Sequence, residues 1–173
     1  MSSNYKVGEN STPHFVTFTV VAWIDVFSRE LYKELFIKSL QYCCEKKGLI
    51  LHAWVIMTNH VHLIISSTDN KIEYLVRDIK KYTSKQIIKT IQENPAESRK
   101  EWMVNIFRFT GRNNNNNKEF QFWKQDYHPI ELHNDQKLQQ RLNYLHENPV
   151  KSGLVWEPQH YKYSSAIDYY TNG

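Results

Sequence analysis

The chain has little cysteine and no long apolar segment. Its two cysteines, Cys43 and Cys44, are neighbours in a segment of helical composition. Adjacent side chains on a helix point about 100° apart, so a disulfide between them is not expected. The sequence does not begin with a basic segment followed by an apolar run, so a signal peptide is not predicted. No segment approaches the ~20 apolar residues that span a bilayer. These absences favour a reduced, cytoplasmic protein with no membrane partner.

A strong charge imbalance is also missing. The 22 Lys and Arg against 18 Asp and Glu give a net charge of +4, which suits a polyanionic partner without requiring one. Aromatic residues make up 14% of the chain, and such rings serve both packed cores and base stacking. There is no internal repeat. The length predicts a single domain over 1–173, with a core at about 12–155 and a C-terminal tail at 156–173.

The order of strand-like and helix-like segments predicts the fold class. Four segments rich in β-branched and aromatic residues predict strands: 14–23, 49–57, 60–66 and 119–123. Three segments have helical composition: 29–47, 73–92 and 134–148. The order β-α-β-β-α-β-α predicts an α+β fold, a ferredoxin-like βαββαβ antiparallel sheet with helices on one face, followed by a C-terminal helix.

Several single residues predict where these elements end. Gly48 is suited to stop the first helix. Asn134 or Asp135 is suited to cap the last helix, and Pro149 disfavours helix in the residue before it, which predicts an end at 148. Residues 93–119 show no clear pattern, and the asparagine run within them, 113–117, predicts a surface loop.

The most informative motif is His60-Val61-His62, within a strand-like segment. Side chains alternate across a strand, so both imidazoles lie on one face, about 6.5–7 Å apart at the backbone. Two rings at that spacing can both reach one metal ion. Leucine or valine would be expected if this face were only core, so the pair indicates a site.

The predicted last helix has two distinct faces. Three leucines form a stripe suited to burial: Leu138, Leu142 and Leu145. A second stripe, about 90° away, is basic and polar: Lys137, Arg141, Tyr144 and Asn148. A tyrosine hydroxyl with a pKa of ~10 is a poor nucleophile, unless cations and a metal-polarised phosphate assist it. Since the chain has eleven tyrosines, a packed structural ring is the simpler interpretation of any one of them.

The middle helix carries a row of like charges, here named the basic stripe: Arg77, Lys81, Lys85 and Lys89. Like charges at i+4 cost stability rather than adding to it. An anionic partner would explain why they are tolerated. A solvated helix face is the equally weighted alternative.

Two segments together resemble the HUH tyrosine transposases, in particular the REP-associated tyrosine transposases and their insertion-sequence relatives. The first is WVIMTNHVHL at 54–63, and the second is NYLHENPVKSGLV at 143–155. Shorter similarities occur at 80–84, 122–125 and 163–166. The resemblance covers most of the chain from 12 to 170 in the same order.

The resemblance implies a metal-dependent transposase that cleaves and rejoins single-stranded DNA through a 5′-phosphotyrosine intermediate and recognises hairpin or repeat DNA. Tyr144 matches the nucleophile, and His60, His62 and Asn148 match the ligands of a divalent metal, Mg²⁺ or Mn²⁺. Two imidazoles favour Mn²⁺ chemically. The protein would act on bacterial nucleoid DNA as a monomer or homodimer. From spacing alone, six cations are candidate DNA contacts: Arg77, Lys81, Lys85, Lys89, Lys137 and Arg141.

Three other functions stay open. A replication-initiator-type HUH nickase would share the lone tyrosine, although the segment 148–155 favours the REP-associated group. A non-catalytic ferredoxin-like module could bind single strands on Phe15, Phe18 and Trp54, but it has no need of the histidine pair. A hydrolase-type metal site would want a strong third ligand such as Asp, Glu or Cys. The six histidines outside the His60-Val61-His62 motif, His146 among them, are predicted to be structural or surface residues.

Overall fold

A four-stranded antiparallel sheet organises the fold. The computed structural model describes residues 12–69, 71–115, 119–125 and 128–171. The strands are β1 (His14–Thr19), β2 (Leu49–Ile56), β3 (His60–Ser67) and β4 (Ile130–Glu131). Their order is β2-β3-β1-β4 and every pairing is antiparallel. This is the order of the split βαβ arrangement, so the predicted α+β, ferredoxin-like fold class is confirmed.

Among the described residues, five α-helices accompany the sheet: α1 (Glu30–Lys46), α2 (Ile72–Glu93), α3 (Lys100–Arg112), α4 (Asp135–Lys151) and α5 (Ala166–Thr171). The N-terminus of α4 is capped by Asn134, whose side chain accepts a hydrogen bond from the Lys137 amide. Gly48 follows α1 with φ +69°, the left-handed conformation that glycine adopts at low cost. None of the helices in the described part of the chain has the length and hydrophobicity to cross a bilayer.

The alternation of side chains gives the two faces of the sheet different surroundings. Phe18 of β1 points to the side of α1 and α2, where its ring lies 5.9 Å from that of Phe36. Phe15, on the opposite face of the same strand, lies 6.0 Å from the ring of Tyr144 in α4. Helices α2 and α4 therefore pack on opposite sides of the sheet.

The core on the α1 and α2 side is built around Trp123. Its ring packs against four buried phenylalanines: Phe18, Phe27, Phe36 and Phe122. The indole N–H donates to the Thr83 hydroxyl of α2 at 3.0 Å, so the polar atom of this buried ring is satisfied. Burying each such ring contributes roughly 1.5–3 kcal/mol, which fixes the segment around Trp123 against the sheet.

The segment 119–123, predicted as a strand, is not one. Trp123 forms an isolated bridge with Val20, and the fourth strand is the short β4. In the segment 119–123, the consecutive residues Gln121, Phe122 and Trp123 are all buried. Its aromatic content therefore reflects core packing rather than a sheet ladder.

Part of the patternless region 93–119 is helix α3. Its buried residues Met103, Val104, Phe107 and Gly111 recur at helical spacing. A Cβ on Gly111 would lie 2.7 Å from the backbone of residue 120, so close packing explains this helix-disfavouring residue. The asparagines at 113–115 follow the helix, and the remainder of that run, 116–117, lies outside the described residues.

Two predicted ends also differ. The first strand stops at Thr19 rather than at 23, because the chain turns through a 3-10 segment at Val21–Trp23. Helix α4 continues past Asn148 to Lys151 and contains Pro149. A proline costs one backbone hydrogen bond there, while Leu154 donates to the Pro149 carbonyl at 2.9 Å and closes the last turn.

The predicted C-terminal tail, described over residues 156–171, packs on the sheet. The Ile56 amide donates to the Tyr163 carbonyl, and the Ser165 amide donates to the Trp54 carbonyl, both at 2.9 Å. The Ser165 hydroxyl also lies 3.0 Å from Nε2 of His146 in α4. This segment therefore joins the free edge of β2 to the helix that carries Tyr144.

Candidate active site

The two histidines of the motif lie side by side at the start of β3. They face Thr19 and Thr17 of β1 across the ladder, and their ring centroids are 4.7 Å apart. His62 is only 5% exposed, whereas His60 is half-buried. The period of the strand thus brings both imidazoles to one face, as predicted from the sequence.

Each ring is held through its Nδ1 atom. The Nδ1 of His60 lies 2.7 Å from the side-chain oxygen of Asn59, and an amide oxygen only accepts, so this nitrogen donates. The Nδ1 of His62 lies 2.9 Å from the hydroxyl of Thr17. With Nδ1 engaged in both rings, Nε2 is the nitrogen available to a ligand.

Burial keeps both rings neutral at physiological pH. It lowers the pKa of His62 to about 3, with further contributions from His60 and Arg141. Burial also lowers the pKa of His60, and the Asn148 side chain partly offsets this through a hydrogen bond. A neutral imidazole has a lone pair to offer a metal.

The Nε2 atom of His62 is buried and has no hydrogen-bond partner among the described residues. An unsatisfied buried polar atom costs about 1–3 kcal/mol. Native structures keep few such atoms. A ligand at this position would satisfy the atom, which makes this nitrogen the strongest single indication of a binding site here.

Helix α4 brings the sequence-predicted tyrosine to the histidines. The Tyr144 ring lies 5.4 Å from the His62 ring, and the side chain is 39% exposed. One turn later, the Asn148 side chain lies close enough to His60 to offset part of the lowering of that ring's pKa. The four residues assigned from the sequence to catalysis and metal binding thus meet on one face of the sheet.

Two cations of α4 lie beside this cluster. The guanidinium of Arg141 is 5.0 Å from the centre of the Phe15 ring, which itself stacks on His62. The ammonium of Lys151 is 5.8 Å from the centre of the Tyr144 ring. Lys137 lies one turn before Arg141 on the same helix. The cluster therefore combines neutral nitrogen donors, a hydroxyl and positive charge.

The basic stripe of α2 does not belong to this cluster, because α2 packs on the other side of the sheet. All four of its residues are exposed. Arg77 lies 3.8 Å from Asp78, and Lys89 lies 3.9 Å from Glu93, so two of its charges have acidic neighbours. Within the described part of the chain, neither Lys81 nor Lys85 forms an ion pair.

A groove of about 660 Å³ lies between α2 and the residues 120–125 and 128–129. We refer to it as the α2 groove. Its lining includes four cations: Arg77, Lys80, Lys81 and Lys124. Lys80 also donates to the Lys124 carbonyl at 3.1 Å, which ties the helix to the opposite wall. The α2 groove is thus a basic surface separate from the histidine pair.

Two alternatives lose support from this geometry. Phe15 and Phe18 are buried and Trp54 is half-buried, so the three do not form the exposed base-stacking platform considered for a pure binding module. Over the residues that the structure describes, no cluster of three or more His, Cys, Asp or Glu side chains could hold a metal. The histidine pair therefore lacks the strong third ligand of a hydrolase-type site and has the Asn148 amide instead.

The family model described as "Transposase IS200 like" matches residues 9–110, more than half of the chain. The chain belongs to the IS200-like transposase family. The matched range includes His60 and His62 but ends before α4, so the family match does not itself extend to Tyr144.

A solved structure shares the fold of this IS200-like family member. It is that of a REP-associated tyrosine transposase bound to a REP hairpin, with a TM-score of 0.61 and 16% sequence identity. The alignment covers 89% of this chain and 76% of that chain. No match was found among curated proteins.

Three residues that contact the cluster in this transposase were missed from the sequence. Thr17 and Asn59 hold the two rings, but a threonine in a strand and an asparagine in a turn have ordinary structural explanations. Lys151 lies two turns after Tyr144 on α4, and that helical spacing could have indicated it. The predicted helix ends at 148, so Lys151 lies outside it, whereas α4 extends to Lys151.

Proposed function

We propose that this chain is a single-strand DNA transposase that cleaves and rejoins its substrate through a covalent bond to Tyr144. The observation that supports this most is the approach of the Tyr144 and His62 rings to 5.4 Å. This approach supports the Tyr144 hydroxyl as the nucleophile, because the tyrosine ring lies beside one of two neutral imidazoles. The similar solved structure was bound to a REP hairpin, which supports hairpin DNA as the substrate class.

The donor set fits a divalent metal. His60 and His62 would offer their Nε2 atoms and Asn148 its amide oxygen, and the orphaned Nε2 of His62 is the atom that most needs such a ligand. Mixed nitrogen and oxygen donors suit Mn²⁺ well and admit Mg²⁺. When bound there, the ion would polarise a non-bridging phosphate oxygen as a Lewis acid.

Tyr144 would supply the nucleophile. Its oxygen forms a bond to phosphorus while the bond from phosphorus to the 3′ oxygen breaks. The tyrosine proton passes to solvent water, and the leaving oxygen takes up a proton from water to become a 3′-hydroxyl. Arg141 and Lys151, both placed beside the ring cluster, would stabilise the phenolate and the charged phosphate.

The linkage so formed is a 5′-phosphotyrosine that keeps the energy of the cut bond. Attack by the 3′-hydroxyl of another strand reverses the step and frees the tyrosine, so no nucleotide cofactor is consumed. Since Tyr144 lies against the histidines of its own chain, one chain would suffice for a complete site, which supports catalysis in cis.

A denaturing-gel assay with labelled single-stranded hairpin DNA tests this function. We expect a protein–DNA adduct with Mn²⁺ that disappears in EDTA and in Tyr144→Phe. Tyr42→Phe is the matched control, since Tyr42 is an exposed tyrosine on α1, on the other side of the sheet, and it should form the adduct normally. DNA binding without any adduct would instead favour a non-catalytic binding module.

A replication-initiator-type nickase would form the same adduct. A strand-transfer assay with a second DNA strand therefore distinguishes it from a transposase. A labelled oligonucleotide with a free 3′-hydroxyl is added to the isolated adduct. If the cut strand is transferred to this oligonucleotide when both hairpin ends are present, the result supports transposition. Release restricted to the original 3′ end favours the nickase.

A further inference from the structure

The turn after β1 is strained and exposes an indole. Ala22 and Trp23 both have φ of 54°, a left-handed conformation that costs non-glycine residues of order 1–3 kcal/mol each. The Trp23 side chain is 58% exposed, so burial of the ring does not compensate for this strain. Such outliers cluster at sites where the conformation is needed for function.

This turn is linked to the histidine pair through one side chain. The Asn59 amide nitrogen donates to the Trp23 carbonyl at 3.4 Å, while its oxygen accepts from His60 at 2.7 Å. The Asn59 carbonyl also accepts from the Val20 amide at 2.9 Å. The backbone of the residue that carries the exposed indole is therefore joined to His60 by a single bridging amide.

The same turn is linked to the α2 groove through Lys124. The Lys124 ammonium lies 3.8 Å from the centre of the Trp23 ring, and Lys124 is one of the cations that line the groove. Its amide donates to the Thr19 carbonyl at 2.8 Å, which fixes its backbone at the end of β1. Trp23 and Lys124 thus occupy the rim between the α2 groove and the histidines.

We propose that Trp23 and Lys124 bind one unpaired nucleotide of the DNA strand as it passes from the α2 groove to the histidine pair. The indole stacks on the base, and the Lys124 ammonium contacts its phosphate while remaining close to the ring. An exposed aromatic beside a cation is the usual chemistry for holding single strands without reading their sequence. This inference rests on the proposed function, because it takes single-stranded DNA as the substrate.

The proposal explains an otherwise awkward arrangement. The cations of the groove and the candidate nucleophile lie on opposite sides of the sheet, so a strand that uses both must pass around an edge. Lys124 faces the groove, and the Trp23 carbonyl is held by the residue that orients His60. At this rim, contacts from Lys124 through Trp23 and Asn59 to His60 link the groove with the histidine pair.

The test measures DNA affinity with single-stranded oligonucleotides that carry one abasic position, moved stepwise along the strand beside the cleavage site. All proteins carry Tyr144→Phe, so that no cleavage occurs. We expect one abasic position to weaken binding by about 5- to 100-fold, the usual size of one base–aromatic stack. Trp23→Ala should weaken binding to the intact strand by a similar factor, and the penalty at that one abasic position should then disappear.

Matched variants separate stacking from general damage. Trp102→Ala removes another exposed indole, on α3, and should leave both the affinity and the abasic penalty unchanged. Lys124→Gln should lower the slope of log affinity against log salt by about 0.7, as expected for one phosphate contact to a single strand. Because alanine also carries a Cβ, Trp23→Ala leaves the strain of the turn in place. Trp23→Phe is a second variant, which keeps an aromatic ring at this position.

Unchanged affinity in folded Trp23→Ala, or an abasic penalty that persists in it, would overturn the proposal. The adduct assay with Tyr144 intact is run in parallel and reports on the chemistry alone. Loss of the abasic penalty without any wild-type adduct would uphold the nucleotide site and refute the proposed transposase chemistry. A normal adduct with no effect of Trp23→Ala on binding would uphold the transposase chemistry and refute the nucleotide site.

Discussion

Tyr144 and His62 lie with their ring centroids 5.4 Å apart, although one belongs to α4 and the other to β3. Their contact is possible because α4 packs on the sheet face that carries His62, opposite α1 and α2. The ring of Phe15 lies against both, 5.2 Å from His62 and 6.0 Å from Tyr144. A helix and a strand distant in sequence are thus locked together at the site by three rings.

Replacing His62 should separate stability from activity. In His62→Leu the buried, unsatisfied Nε2 atom is gone, and its cost of about 1–3 kcal/mol with it. We therefore expect the free energy of unfolding to stay within about 1 kcal/mol of wild type or to rise, while adduct formation is lost. Urea denaturation and the gel assay measure the two quantities. A variant that keeps forming the adduct would show that His62 is not a required ligand.

Asn59 should act on metal binding without touching the metal. Asn59→Ala removes the acceptor that holds the Nδ1 hydrogen of His60, so the ring is free to turn or change tautomer. We expect Mn²⁺ affinity, measured by calorimetry, to fall about 10- to 100-fold, as for other partners of metal-binding histidines. Asn143→Ala, on the exposed side of α4, is the control. Equal affinities in both variants would refute this role.

Stability should fall as the pH drops below about 6.5. Burial lowers the pKa of His146 to about 4, so between these values the unfolded chain binds a proton that the folded chain does not. Stability rises with pH wherever the unfolded state binds more protons, so it decreases from pH 6.5 to about 4. His62, with a pKa of about 3, acts in the same direction.

The His146→Gln variant isolates one part of this effect. Glutamine can keep a hydrogen bond to Ser165 but does not titrate. After allowance for solvent screening, we expect the loss of unfolding free energy between pH 6.5 and 4 to shrink by on the order of 1–2 kcal/mol relative to wild type. Chemical denaturation at several pH values measures this. An unchanged pH profile would mean that His146 is protonated equally in both states.

The cations of α2 should not contribute equally to DNA binding. Lys81 lines the α2 groove, whereas Lys89 lies outside it and next to Glu93. Lys81→Gln should therefore weaken binding and reduce its salt dependence by roughly one phosphate contact, and Lys89→Gln should change neither appreciably. Affinity titrations between 50 and about 200 mM salt compare them. Equal losses in both would indicate a diffuse charge effect instead of a groove.

The parts of the site set by local periodicity were predictable from the sequence. Strand alternation placed His60 and His62 on one face, and the helical wheel placed Tyr144 one turn before Asn148. The partners of the rings were not predictable, because Thr17 and the Tyr144 side chain reach His62 only through strand pairing and helix packing. The wheel of α2 likewise gave the basic stripe but not the side of the sheet on which it lies.

The errors in the fold have the same origin. Phe122 and Trp123 have strand-like composition, but tertiary packing of their rings decides their conformation. Helix α3 was hidden because Gly111 and Thr110 disfavour helix locally, and its close contact with the backbone of residue 120 is not visible in the sequence. In both cases long-range contacts outweigh local propensity.

The most direct measurement is the identity of the residue that carries DNA after the reaction. Trypsin cuts after Arg141 and Lys151, so Tyr144 lies alone among tyrosines in the peptide 142–151. The protein is incubated with single-stranded hairpin DNA and Mn²⁺, digested with nuclease and trypsin, and analysed by mass spectrometry. The account predicts that this peptide gains a nucleotide phosphate with Mn²⁺ and not with EDTA. A nucleotide on a different peptide would contradict the assignment of Tyr144, and an adduct that forms equally in EDTA would contradict the metal site.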